Sequence, residues 1–468
     1  MTTAPQEAPR EEAAPSPQPV VPLDVSPVEE APPPRPRRRL WNETLTVTSL
    51  LIVIGAALLL FTFRTIHRRE ATVLAKNPSA ARTNFSVRYW MDHGYVSSGG
   101  LLVHQSGTPP GYHFYLSSTG GNLVTAFLAE KLYSAATGRY SLRLIALQNQ
   151  LVTLFTAVAL GLLAFRLARR GGASPLHAFV FGASLLAVHF TFPDNLGTYW
   201  EMNGRPWFLF FAAVFLLLEE RSVDGRTRVL TIAQAVCAFF LTWMEYVAGT
   251  AFLATYVVAT AALASRRVSI RRLLGVVIVP AVLALSLFAG QRAWVRAMHP
   301  EAPTSGSTFL FRTGLDGATT YYVDHLDIAY RRDLARLNFP TNSQHLFRWK
   351  WMFFAGTAAL LIAVAAATRG RVPPMAAVSL LSLLGAYLLY AAVFSQAIVI
   401  HPYIFDVLLF TPLALALFVV VPAFFEAMAE QRGVIVVAVF LLAVWLSFVH
   451  MRKYAMWYPP PPSVTAPQ

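Results

Sequence analysis

Between Tyr321 and Arg336 the chain reads YYVDHLDIAYRRDLAR, in which Tyr321, Asp324, His325, Asp327 and Tyr330 recur at helical spacing, with Arg331, Arg332 and Arg336 behind them. A guanidinium donates paired hydrogen bonds to a phosphate, so Arg331 and Arg332 are candidate ligands for a substrate phosphate. The same pattern suits an amphipathic helix lying on a membrane, its arginines meeting lipid phosphates. Asp324, His325 and Asp327 are oxygen and nitrogen donors of the kind that hold a divalent cation, but this one short cluster has no partner motif to complete a coordination shell. A second polar stretch, TPPGYHFYLSS from Thr108 to Ser118, carries Tyr112, His113 and Tyr115. Tyrosine is enriched at headgroup level, so interfacial packing is the simplest use of these side chains. His401 and Tyr403, in SQAIVIHPY, lead into a further apolar run that Pro402 helps to start.

The elements that position these residues follow from composition. The chain has 468 residues, of which 55% are hydrophobic and only 13% charged, too apolar for an ordinary soluble domain. Apolar runs of roughly 18 to 23 residues, enough to cross ~30 Å of hydrocarbon as helices, recur at 43–63, 144–166, 174–192, 206–219, 229–245, 247–264, 273–290, 351–368, 375–394, 403–425 and 433–450. The run 206–219 is short, and 229–264 admits another division around Glu245. The expectation is an all-α, polytopic membrane protein of about eleven spans, with long outer loops at 64–143 and 291–350, after the first and seventh spans. Its parts are a Pro-rich tail (1–40) that cannot bury an apolar face, a transmembrane module (41–290), the second large loop (291–350), C-terminal helices (351–452) and a flexible end (453–468). The late, long first apolar run reads as a signal anchor rather than a cleaved leader.

Arginines flank alternate short loops: Arg35 to Arg39, Arg166 to Arg170, Arg221 to Arg228, Arg266 to Arg272, then Arg369 and Arg371. All fall on one side if the N-terminus is cytoplasmic. Arg64, Arg68 and Arg69 oppose this, but they open a long loop, where the charge bias is weaker. The net charge of +14 is then largely a topology signal, and it lacks the aromatic interleaving of a nucleic-acid-binding face. An anionic lipid headgroup is a partner that such charge fits. Cys237 is the single cysteine and lies in an apolar run, which leaves no disulfide framework within one chain and suits a small core residue. Almost no ionisable residue falls mid-span; Glu245 and Asp406, the nearest, lie within a turn or two of the outer boundary. Pumps and ion-coupled transporters keep such groups near the midplane. A site at the outer interface, for a substrate with its tail in the bilayer and its head above it, fits better.

The first loop and second span, HGYVSSGGLLVHQSGTPPGYHFYLSSTGGNLVTAFLAEKLYSAATGRYSLRLIALQNQLVTLFTAVALGLLAFRLARR, resemble the GT-C glycosyltransferases, in particular their protein mannosyltransferase and aminoarabinose transferase branch. Three elements carry the resemblance in order and spacing: His93-Gly94-Tyr95, then Thr108-Pro109-Pro110-Gly111-Tyr112, then Gly138-Arg139-Tyr140-Ser141-Leu142-Arg143-Leu144. HPYIFDVLLFTPLALAL (401–417) is similar to a late element of the family. The likeness is good over 45–220 and loose over 290–425.

That resemblance implies transfer of a sugar from a polyprenyl-phosphate donor to an acceptor on the outer face, be it protein, glycolipid or polysaccharide, in a bacterial cytoplasmic membrane. It also implies an amphipathic helix beginning at the Pro-Pro-Tyr element, and an acid before the His-Gly element as general base for the acceptor hydroxyl. Here the sequence departs from the pattern, because Ala71 to Met91 contains no acid. Asp92, Asp194 and Glu201 are the substitutes, while Tyr112, His113, Tyr115, His401 and Tyr403 line the donor headgroup on this reading. Asp92 equally suits a local bond at a helix end, and Asp194 a turn in PDNLG. Two alternatives remain: a relative without catalytic acid that serves as a binding or scaffolding subunit in envelope assembly, and a lipid or polysaccharide transporter or polymerase. The latter calls for matching halves, and no internal symmetry is visible.

Overall fold

The computed structural model describes residues 37–73, 78–105, 110–192, 204–222, 227–264, 269–300, 350–393, 403–428 and 432–457. In chain order these form α1 (Arg37–Val73), α2 (Pro78–His93), β1 (Leu101–Gln105), β2 (Tyr112–Thr119), α3 (Val124–Thr137), α4 (Leu142–Arg170), α5 (Pro175–Phe190), α6 (Gly204–Ser222), α7 (Arg228–Met244) and α8 (Tyr246–Leu263). There follow α9 (Ile270–Met298), α10 (Lys350–Thr368) and α11 (Pro374–Val393). α12 runs as Tyr403–Leu415, a π turn at Ala416–Val420, and Val421–Met428, and α13 is Arg432–Trp457. Every apolar run of the sequence lies in a helix, the form that satisfies backbone groups internally when the solvent is lipid. The chain divides at Glu245, between α7 and α8.

Among the described residues, six helical stretches are long and apolar enough to cross a membrane: Glu43–Thr62, Leu147–Arg170, Tyr246–Leu263, Ile270–Met298, Leu408–Glu426 and Arg432–Arg452. Shorter apolar helices occupy Pro175–Phe190, Arg228–Met244, Phe354–Thr368 and Pro374–Tyr390. The stretch in α4 is 83% buried and that in α1 17%, so α4 is central and α1 peripheral. α4 packs on α5 and α6, α6 on α7, α11 on α8, and α13 on α5. Exposed apolar side chains run along α1 (Ile52, Val53, Leu60), α9 (Leu283, Leu287) and α13 (Phe440, Leu441, Phe448), where lipid would cover them.

At the α4–α5 crossing, a Cβ on Gly182 would fall 2.5 Å from the Gly161 carbonyl oxygen, and one on Gly161 2.9 Å from that of Gly182. Such close approach is how helices gain van der Waals contact where no hydrophobic effect drives them together. The two π turns, Leu274–Ile278 and Ala416–Val420, have a common cause. Each contains the residue four before a proline, Val276 before Pro280 and Phe418 before Pro422. A proline ring clashes with that carbonyl and offers it no N–H, and a wider turn accommodates both.

At the end of the bundle where α1 begins, the tail end, the chain buries charge. Glu219, Glu220 and Glu426 are 0%, 1% and 1% exposed. Glu220 pairs with Arg166 and, at 2.7 Å, with Arg170. Glu219 pairs with Arg272 and accepts from Gln234 Nε2 at 2.9 Å. Arg169 reaches Glu43 at 3.3 Å, and His177 Nδ1 lies 2.5 Å from Glu426 Oε1. Several arginines expected to mark solvent-facing loops are therefore internal clamps joining α1, α4, α6 and α9. Polar residues are also buried inside the bundle, among them Asn149, Gln150, His189 and His450.

Candidate functional site

At the opposite, loop end, α2, the turn 94–100, the hairpin and α3 form a small module. The structure is largely helical as expected, but TPPGYHFYLSS does not open a helix: Tyr112–Thr119 is a strand, antiparallel to Leu101–Gln105, and the helix starts only at Val124. Alternation explains it, since a strand turns successive side chains to opposite faces. Tyr112 and Phe114 meet Tyr89 at 5.0 and 6.1 Å, while His113 stands opposite His104 with ring centroids 5.3 Å apart. Side chains of α2 satisfy the outer edge of β1. Ser86 Oγ donates to Val103 O at 2.7 Å and accepts from Val103 N at 3.1 Å, and Trp90 Nε1 donates to Leu101 O at 3.2 Å.

The module is seated on α9. Trp90, Val103, Phe114 and Phe127 form one buried cluster with Phe288 and Val295 of that helix. His299, just past α9, lies 4.8 Å from the Phe114 ring and 3.1 Å from Ser97 O. The first loop and the start of the second thus share a core. Between the turn and α9 runs an apolar groove of about 280 Å³, lined by Tyr95, Val96, Gly99, Gly100, Gly290, Gln291 and Trp294. Gly99 has φ +58°, and a Cβ there would stand 2.8 Å from Gln291 O, so glycine is what brings the turn this close. Gln291 is held by Trp243 Nε1 at 3.2 Å, and the Arg292 guanidinium lies 5.3 Å from the Phe288 ring. Tyr95 Oη is covered and has no hydrogen-bond partner among the described residues, and burial pushes its phenol above the ordinary range.

Of the candidate residues, Tyr112 is brought near Tyr89 and, at 6.5 Å, His299. His113 belongs to the histidine pair, and Tyr115 pairs with Leu102 in the strand register. Asp92 is exposed in the last turn of α2, beside His93, which lies flat on Tyr89 with centroids 4.3 Å apart. It does not line the groove. Tyr403 opens α12. Asp194, Glu201, Arg331, Arg332 and His401 lie outside the described residues, as do Asp324, His325 and Asp327. Among the described residues no group of three His, Cys, Asp or Glu side chains could hold a metal ion. Cys237 is buried, as its apolar context suggested.

One carboxyl was not singled out from the sequence. Glu130 of α3 is fully covered. Its Oε2 accepts from Ser141 N at 3.0 Å, pinning α3 to the start of α4, and its Oε1 has no hydrogen-bond partner among the described residues. Burial raises its pKa, opposed by the Ser141 bond and the Arg88 charge. Arg88 lies 4.7 Å from the Tyr140 ring, and the Tyr140 phenol is raised by burial and then by Glu130. A signal was present: Leu123, Phe127 and Glu130 fall at i, i+4 and i+7, so the acid takes a place on the buried face of α3. Against protein-family models, curated proteins and solved structures, the chain finds no match.

Proposed function

We propose that the chain is a multi-pass membrane glycosyltransferase that moves a sugar from a polyprenyl-phosphate donor to an acceptor on the outer face of a bacterial cytoplasmic membrane. On this reading about eleven spans cross the bilayer, the shorter helices included, and the N-terminus is cytoplasmic. One observation carries the proposal beyond the sequence resemblance. Leu283, Leu287, Gly290 and Trp294 lie on one face of α9 at i, i+4, i+7 and i+11, so the lipid-facing stripe runs without a break into the floor of the groove. A long apolar tail can lie along that stripe while its polar head reaches the first-loop module.

In such a transfer the acceptor hydroxyl attacks the sugar carbon and the bond to the phosphate oxygen breaks, with the electron pair leaving on the phosphate. A carboxylate takes the hydroxyl proton. Asp92, Asp194 and Glu201 are the candidates for that role, Arg331 and Arg332 for the phosphate. Purified protein given a polyprenyl-phosphate sugar should consume it. Gly290→Phe should raise KM about tenfold or more while leaving the fold intact, because nothing within 4 Å opposes a side chain there. Failure of the wild type both to bind and to turn over such a donor would sink the proposal. A non-catalytic binding subunit is favoured by one fact, that among the described residues no carboxylate lines the groove. It would bind the donor, lose binding in Gly290→Phe, and never release the phosphate.

A further inference from the structure

We propose that His104 and His113 form a binding site for a zinc-type divalent transition-metal ion on the β1–β2 hairpin, with the remaining coordination positions open to water or an anionic oxygen. The two histidines lie on different strands and are direct partners in the antiparallel register. Opposite residues of such a pair carry their side chains on the same face of the sheet, with Cβ atoms about 4.5–5.5 Å apart. By strand alternation that face is turned away from the aromatic core, because Val103 and Phe114, the next pair along, are wholly buried in the cluster shared with α2 and α9. His113 was considered from the sequence only as a headgroup contact, and its partner became visible with the register.

The ring separation is that of a chelating pair. An imidazole nitrogen binds zinc at about 2.1 Å with the ring centroid roughly 1.1 Å behind it, so two imidazoles on a tetrahedral ion have centroids about 5.2 Å apart. The centroids of His104 and His113 are 5.3 Å apart, with the ring planes at 85°. Side-chain torsions alone are then enough to aim one nitrogen of each ring at the ion, with both strands where they already lie. Each ring has a second nitrogen, whose hydrogen bond can fix tautomer and orientation while the first acts as ligand. His104 is 5% exposed and His113 half-buried, so one ligand is held by packing and the other is reachable from solvent. Imidazole donors suit zinc, copper or nickel, whereas magnesium and calcium prefer oxygen. Among the described residues no third His, Cys, Asp or Glu completes the set, which makes this an open site rather than a closed structural centre.

The test uses the full chain without a polyhistidine tag, purified in a neutral detergent, stripped with a chelator and titrated with zinc ion by calorimetry. Zinc should bind at about one equivalent per chain, and X-ray absorption of the bound ion should show imidazole nitrogens at about 2.0–2.1 Å. Magnesium at the same concentration should not compete. His113→Phe keeps a ring against His104 but removes the nitrogens, and should weaken zinc about tenfold or more. His93→Gln, which changes an exposed histidine of the same module, should bind as the wild type does. Absence of a one-equivalent site in the wild type, or of imidazole nitrogens around the bound zinc, overturns the proposal without reference to any variant. So does unchanged affinity in folded His113→Phe, or loss of the site in His93→Gln.

Discussion

Replacing Glu219 with Gln removes a charge from a place that water does not reach. The Glu219 side chain is 0% exposed and that of Arg272 10%. Gln keeps the shape and one carbonyl oxygen, so the Gln234 contact at 2.9 Å can persist, and Arg272 keeps Tyr256 Oη at 3.2 Å. What is lost is the counter-charge of a guanidinium that cannot shed its proton. Breaking a buried pair from one side costs about 3–5 kcal/mol. The remaining Tyr256 bond and the slight exposure of Arg272 place this case near about 3 kcal/mol, or about two orders of magnitude in the ratio of folded to unfolded protein. Removing both partners, as Glu219→Leu with Arg272→Met, leaves no orphaned charge and should cost about 1 kcal/mol or less. Denaturant unfolding of detergent-purified protein, followed by tryptophan fluorescence, measures all three. The reasoning is refuted if Glu219→Gln lies within about 0.5 kcal/mol of the wild type, or if the double variant is the weaker of the two.

Glu130→Gln tests the covered carboxyl. Burial raises its folded-state pKa above 4.5, so the folded form binds the proton more tightly than the unfolded one. That contribution is full below the unfolded pKa and lost as pH rises through the folded value, so the wild type should lose stability relative to the variant from about pH 4.5 upward. Parallel stability profiles for the two would contradict it. Gly182→Val should drive α4 and α5 apart at the Gly161 carbonyl and cost about 3 kcal/mol, whereas Gly275→Ala, with nothing within 4 Å, should cost nothing measurable. Reporters fused after residues 110 and 320 should both report the outer face, and a cytoplasmic signal from either would overturn the proposed orientation.

The class of protein and the places of its helices were legible in the sequence because they depend on local properties. The length of an apolar run decides whether a helix can cross hydrocarbon, and Cys237 could be assigned to the core from its neighbours alone. The strand at Tyr112–Thr119 was less legible: the expectation of a helix came from a resemblance, while the alternation of Tyr112 and Phe114 against His113 already favoured a strand. Which arginines are exposed and which are internal clamps was not readable at all. Arg166 and Arg371 flank similar short loops, but Arg166 is buried against Glu220 of another helix while Arg371 is exposed. Glu130 was not singled out from the sequence, although its spacing put it on the buried face of α3; that its carboxylate meets Ser141 N was decided by how α3 packs against the start of α4. The groove likewise exists only because Gly99 lets a turn of the first loop approach a helix almost two hundred residues away. Run length and periodicity act within one segment; pairing, burial and cavities depend on which segments meet, and tertiary packing alone decides that.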